Sequence, residues 1–165
     1  SLTVYTIYAR IYSENDHSVR ERSVSLPNLV TDYTRVLLFD VIPSELERLV
    51  GEGAYALSAK LASTAVIKLL NSTGFENGSI EEVLRNVLGD IVLGVEKVGN
   101  DLVVHTKVNT ANEAQEGALA GLFVGLLRAM GYKAVAVKKR LPYRGLVTVR
   151  VEGNKVIINF SGILH

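Results

Sequence analysis

Residues 110–131, TANEAQEGALAGLFVGLLRAMG, decide the fold, because Gly117, Gly121 and Gly125 recur there at intervals of four. Thr110 followed by Glu113 has the spacing of a capping box, so a helix is expected from about Asn112 to Met130, with Gly131 as the residue that ends it. A spacing of four puts the three glycines on one edge of that helix. Each glycine costs about 1 kcal/mol relative to alanine, so close packing along the edge has roughly 3 kcal/mol to offset. Ala118, Leu119, Leu122, Phe123, Leu126 and Met130 form the adjoining apolar stripe. Two compatible readings follow: a helix pressed tightly onto a sheet or another helix, or missing side chains that make room for a ligand or a symmetry-related helix.

Around this helix the pattern alternates between strands and helices in blocks. Upstream, Asp90–Val98 and Leu102–Val108 read as strands about a Gly99-Asn100 hairpin turn. Downstream, Lys133–Lys139 reads as a strand, and Leu146–Val151 with Lys155–Phe160 as a hairpin about Glu152-Gly153-Asn154. Ser79 with Glu82 is a second capping box, opening a short helix to Leu88. A longer helix over Ala54–Leu70 has so little polar face that it is expected to be the central one. Ser44 with Glu47, just after Pro43, starts a helix that Gly51 and Gly53 interrupt. Leu2–Tyr12, Val19–Leu26 and the nearly continuous apolar run Thr34–Val41 read as strands. The expected organisation is one domain over 1–165, with N-terminal strands in 1–41, a helical segment in 43–88, and two hairpins flanking the glycine-striped helix in 90–160. Because strands cluster rather than alternate with helices, the fold class is α+β, a largely antiparallel sheet packed against a helical layer.

Composition bounds the function. The chain of 165 residues is 48% hydrophobic and 21% charged, with a mean hydropathy of +0.24. That apolar surplus suits either an internal ligand cavity or a buried subunit interface. Eighteen Lys and Arg against 17 Asp and Glu give a net charge of +1, which argues against nucleic acid as a partner through whole-chain charge. With no cysteine, disulfides, thiolate nucleophiles and cysteine zinc sites are excluded, and a reducing, cytoplasmic location is expected. The apolar runs Gly117–Leu127 and Leu61–Ile67 end at Arg128 and Lys68, short of the ~20 residues of a transmembrane helix.

No catalytic set emerges. The acidic pairs Glu45/Glu47, Glu81/Glu82 and Glu113/Glu116 fall in first helical turns, where the helix dipole accounts for them. His17, His105 and His165 stand apart from one another, so no metal, haem or other cofactor is expected. Nucleotide-binding and nucleophile-elbow motifs are missing. A ligand pocket between the two long helices is the leading expectation, with Leu61, Ala65, Gly121 and Leu122 as walls, Gly117 and Gly125 extending the smooth edge, and Tyr55 and Phe39 as neighbours. Lys138, Lys139, Arg140 and Arg144, with Tyr143 among them, form a basic patch for an anion or a partner.

The segments 46–54 (LERLVGEGA) and 108–114 (VNTANEA), then Gly117, 119–122 (LAGL) and 130–137 (MGYKAVAV), resemble the 4-vinyl reductase (V4R) domain family over about Thr34–Phe160. The resemblance implies a fold shared with Bet3-type vesicle-tethering subunits and haem-based nitric-oxide sensor domains. It also implies small, hydrocarbon-like ligands and homodimer formation. Many sequences of that family carry cysteines that this chain lacks, so neither a metal role nor an acyl-cysteine is implied here. The functional expectation is a non-enzymatic module that binds a small apolar ligand. The alternative is an assembly module whose glycine-striped helix and apolar surface form a dimer or partner interface.

Overall fold

Two apolar helices, laid side by side in the same direction, form the helical layer. The computed structural model describes residues 35–73, 78–140 and 143–164, and the strands expected at Leu2–Tyr12 and Val19–Leu26 lie outside them. The described chain begins with a helical run in which a wide π turn, Leu37–Val41, leads directly into α1 (Ile42–Val50). The strand expected at Thr34–Val41 is therefore corrected to helix over its described part. A short run of continuous apolar residues carries no period that separates strand from helix. The Ile42 N–H reaches five residues back to the Leu37 carbonyl, which makes the turn a π turn, and Pro43, with no N–H to donate, follows at the start of α1.

Gly51, at φ +63, turns the chain from α1 into α2 (Ala54–Thr73). A shorter helix follows, α3 (Ile80–Leu88), capped as expected by the Ser79 hydroxyl, which accepts from the Glu82 N–H at 3.3 Å. Replacing Ser79 by alanine is expected to lower stability by about 1 kcal/mol. Chemical denaturation would show this as a lower midpoint with an unchanged slope.

The fourth helix, α4 (Glu113–Ala129), carries the glycine stripe. Its cap is Asn112, which accepts from the Gln115 N–H at 2.8 Å, while Gln115 reaches back to the Ala111 N–H. Thr110, the expected cap, donates instead to the Gly153 carbonyl and ties the helix entrance to the last hairpin.

Five strands lie among the described residues, β1 (Val92–Val98), β2 (Asp101–Thr106), β3 (Ala134–Ala136), β4 (Val147–Glu152) and β5 (Lys155–Asn159), arranged in the order β1-β2-β5-β4-β3. All neighbours are antiparallel except β3 and β4, which are parallel, so the fold is α+β with a mixed, largely antiparallel sheet. Leu102, Val104, Val147, Val149, Val156 and Ile158 point from the sheet into the core, where they meet Leu119, Phe123, Leu126 and Leu127 of α4. On the opposite face Asp101 accepts from Asn159 at 2.6 Å. The parallel pairing needs a connection that returns along the sheet, and the Arg140 guanidinium at its start lies 3.8 Å from the Asp101 carboxylate.

The layers run sheet, α4, α2. The central helix is thus α4, buried nearly all round, and the expectation that 54–70 would be central is corrected. One side of α2 packs on α4, while Leu57, Leu61, Ala65 and Leu69 on the other are exposed.

Candidate functional site

Position by position, the glycine stripe meets the main chain of α2. A Cβ built on Gly117 would collide with the Tyr55 main chain, and one on Gly121 with that of Ala59. One on Gly125 would lie 2.7 Å from the Ser63 carbonyl oxygen and 2.9 Å from the Val66 Cβ. Both helices advance by four residues per contact in the same sense, which makes them parallel. On α2 the facing residues Ala59 and Ser63 are small too, so each helix offers a shallow groove to the other. The spacing of four along α4 is the sequence signal of a close approach, and only the fold names Ala59 and Ser63 as what approaches.

The cavity expected between the two long helices is therefore filled by their own backbones. Of its expected lining, Gly117, Gly121 and Gly125 are buried in the helix contact, Leu122 and Phe39 are half-buried against the core, and Leu61 and Ala65 face outward. Missing side chains along one helical edge do permit close approach, and the approaching group is α2 of the same chain.

Tyr55 does sit at a recess. Its hydroxyl donates to the Val137 carbonyl at 2.8 Å, and the Lys138 ammonium lies 5.3 Å from the centre of its ring. Burial, aided by the negative charge of Glu116, pushes the Tyr55 hydroxyl up to about 12. Beside it an open groove of about 430 Å3 runs between α2 and β3, lined by Tyr55, Ala59, Lys60, Thr64, Arg128 and Ala136 among others. The charged residues lining it, Lys60 and Arg128, are both cations. Of this set only Tyr55 is legible in the sequence, because Lys60 and Arg128 lie on different elements and come to one groove only in the folded chain.

The basic patch divides. Lys138 pairs with Glu113 at 2.7 Å on the helical side, whereas Arg140 reaches Asp101 on the far face of the sheet. Lys139 and Arg144 are exposed and form no ion pair among the described residues. His105 contacts Glu96 at 3.1 Å. Among the described residues no group of three His, Asp or Glu is placed to hold a metal, and no helix is long and apolar enough to cross a membrane.

What the fold and the site define is an α+β domain with a closed helix pair, an exposed leucine row and a cationic groove. Comparison of the chain with protein-family models, characterised proteins and solved structures finds no match in any of the three.

Proposed function

We propose that the domain is an assembly module, pairing with a second copy of itself through the outward face of α2. One observation carries this reading: Leu57, Leu61 and Leu69, at 36%, 50% and 63% exposure, stand with Ala65 in a row of four-residue steps facing away from the core. Monomers seldom leave such a row open to water. A two-fold interface uses the same patch on both copies, and a straight leucine row on a helix is self-complementary in that sense. Leu49, at 69% exposure, and Val50 are further exposed apolar residues at the end of α1. Lys68 accompanies the row, and its alkyl stem can lie along it with the ammonium group in water.

Sedimentation equilibrium tests the reading. The parent chain is expected to self-associate, and the double variant Leu61→Glu with Leu69→Glu to raise the dimer Kd by at least about ten-fold, since each substitution removes a leucine worth roughly 1.5–3 kcal/mol when buried. Both side chains already face outward, so the variant should keep its fold by circular dichroism. A parent chain that stays monomeric at high concentration rejects the proposal.

Binding of a small apolar ligand is the second reading, favoured by a different place from the one expected. An open groove of about 730 Å3 is lined by Ile80, Leu102, Tyr132, Phe160 and Ile163 among others. Tyr132 and Phe160 meet edge to face there, 5.9 Å between ring centres. Native mass spectrometry of the purified protein separates the readings: a retained hydrocarbon-like molecule supports this one, and bare dimer supports the first.

A further inference from the structure

We infer that the groove between α2 and β3 receives an acidic peptide segment in extended form, added to the sheet as a strand beside Ala136. The ladder between β3 and β4 fixes which backbone groups are free. The Val147 N–H bonds the Lys133 carbonyl and the Val137 N–H bonds the Val149 carbonyl, each at 2.8 Å. Residues 133, 135 and 137 therefore turn toward β4, and Ala134 and Ala136 turn outward. Among the described residues the sheet has no further strand beyond β3.

Protein groups already bond the start of this short edge and the chain just past its end. The Arg128 Nε donates to the Ala134 carbonyl at 2.9 Å, and the Tyr55 hydroxyl donates to the Val137 carbonyl at 2.8 Å. Between them the N–H and C=O of Ala136 have no partner among the described residues, and Ala136 lines the groove. One residue that presents both groups outward is the unit of strand addition, in which main-chain bonds supply affinity and flanking pockets supply choice. At about 3.3 Å per residue, the three residues of β3 match an extended segment of roughly three to four residues.

Charge specifies the occupant. The groove sets Lys60 on its helical wall and Arg128 near its sheet wall, with no carboxylate among the described residues that line it. The apolar floor, from Tyr55, Ala59, Val124 and Val135, suits the small or branched side chains that alternate with acidic ones in a strand. An acidic, alternating segment satisfies the free amide, the free carbonyl and both cations together. The site lies on a different side of α2 from the leucine row, so it is independent of self-assembly.

The probe is a fluorescent six-residue peptide alternating valine and glutamate, titrated into the full chain by anisotropy. A peptide with lysine in place of glutamate and free butyrate serve as comparisons. Binding of the acidic peptide is expected to weaken as salt rises, with the lysine peptide bound at least about ten-fold more weakly. Ala136→Pro removes an N–H that bonds nothing within the protein, so it should leave the fold in place and weaken binding about five- to ten-fold. Lys60→Glu, on the exposed wall, should weaken the acidic peptide and strengthen the lysine one, and it decides the matter if Ala136→Pro fails to fold. Equal binding of the two peptides, wild-type affinity in either folded variant, or full displacement by butyrate overturns the inference. The last result would mark a site for a small carboxylate instead.

Discussion

Gly121→Ala is expected to destabilise the domain by about 3 kcal/mol, a loss where a helix interior normally gains. Alanine is better than glycine in a helix by about 1 kcal/mol, so the packing cost has to reverse the sign and exceed that gain. The atoms in the way are the carbonyl oxygen, Cα and carbonyl carbon of Ala59. These are main-chain atoms, and no rotamer change removes them, so α2 and α4 must move apart along their shared length. Overpacking of a well-filled core costs typically about 1–3 kcal/mol, and an obstacle made of backbone belongs at the upper end. Gly125→Ala should cost less, because its nearest neighbours stand at 2.7 and 2.9 Å and one of them is a side-chain carbon. Ala65→Gly, on the open face of α2, should cost only about 1 kcal/mol from propensity. Denaturant midpoints for the three variants rank these effects. A Gly121→Ala protein more stable than its parent is incompatible with a closed helix pair.

That ranking bears directly on function. Were the glycines the wall of a ligand cavity, a methyl group would occupy empty space and cost little. Because they meet backbone, the stripe is spent on holding α2 against α4, and the side of α2 left exposed is the other one. The four-residue row of leucines there is the counterpart of the four-residue row of glycines, one facing outward and the other taken up inside the chain.

How far the sequence carried the fold depended on whether a signal was local. Ser79, the Gly99-Asn100 hairpin and Gly131, at φ +97, each act within a few residues, and each was readable. The run around Phe39 was not, because short apolar segments suit strand and helix alike until Pro43 and its neighbours impose a register. The longest helix misled for a related reason. Both sides of α2 are apolar, so composition alone could not tell a helix buried in the middle from one packed on a single side. The candidate site was legible only in part. Gly117, Gly121 and Gly125 announced a close approach without naming what approached. Lys60, Arg128 and Ala136 line one groove only after α2, α4 and β3 have come together, and nothing in their spacing along the chain signals it.

Tyr55 ties those three elements together, and raising the pH should loosen that tie. Its hydroxyl is held near 12 in the folded protein, first by burial and then by the charge of Glu116, against about 10 in the unfolded chain. The folded state therefore keeps the proton that the unfolded state releases. The resulting stability is fully present below pH 10 and is lost as the pH rises from 10 toward 12. Across that window the loss approaches 2–3 kcal/mol, at about 1.4 kcal/mol per pH unit. Other tyrosines and the lysines titrate in the same range, so the diagnostic quantity is the difference between the parent and Tyr55→Phe. At pH 8 the parent should be the more stable by about 1 kcal/mol, the worth of the bond to the Val137 carbonyl. Because phenylalanine has no proton to lose, this advantage should shrink above pH 10 and change sign near pH 11. A difference that stays constant from pH 8 to 11.5 would mean that the Tyr55 hydroxyl reaches water freely. In that case α2 would not be fastened to the end of β3, and the groove beside Ala136 would lose one of its walls.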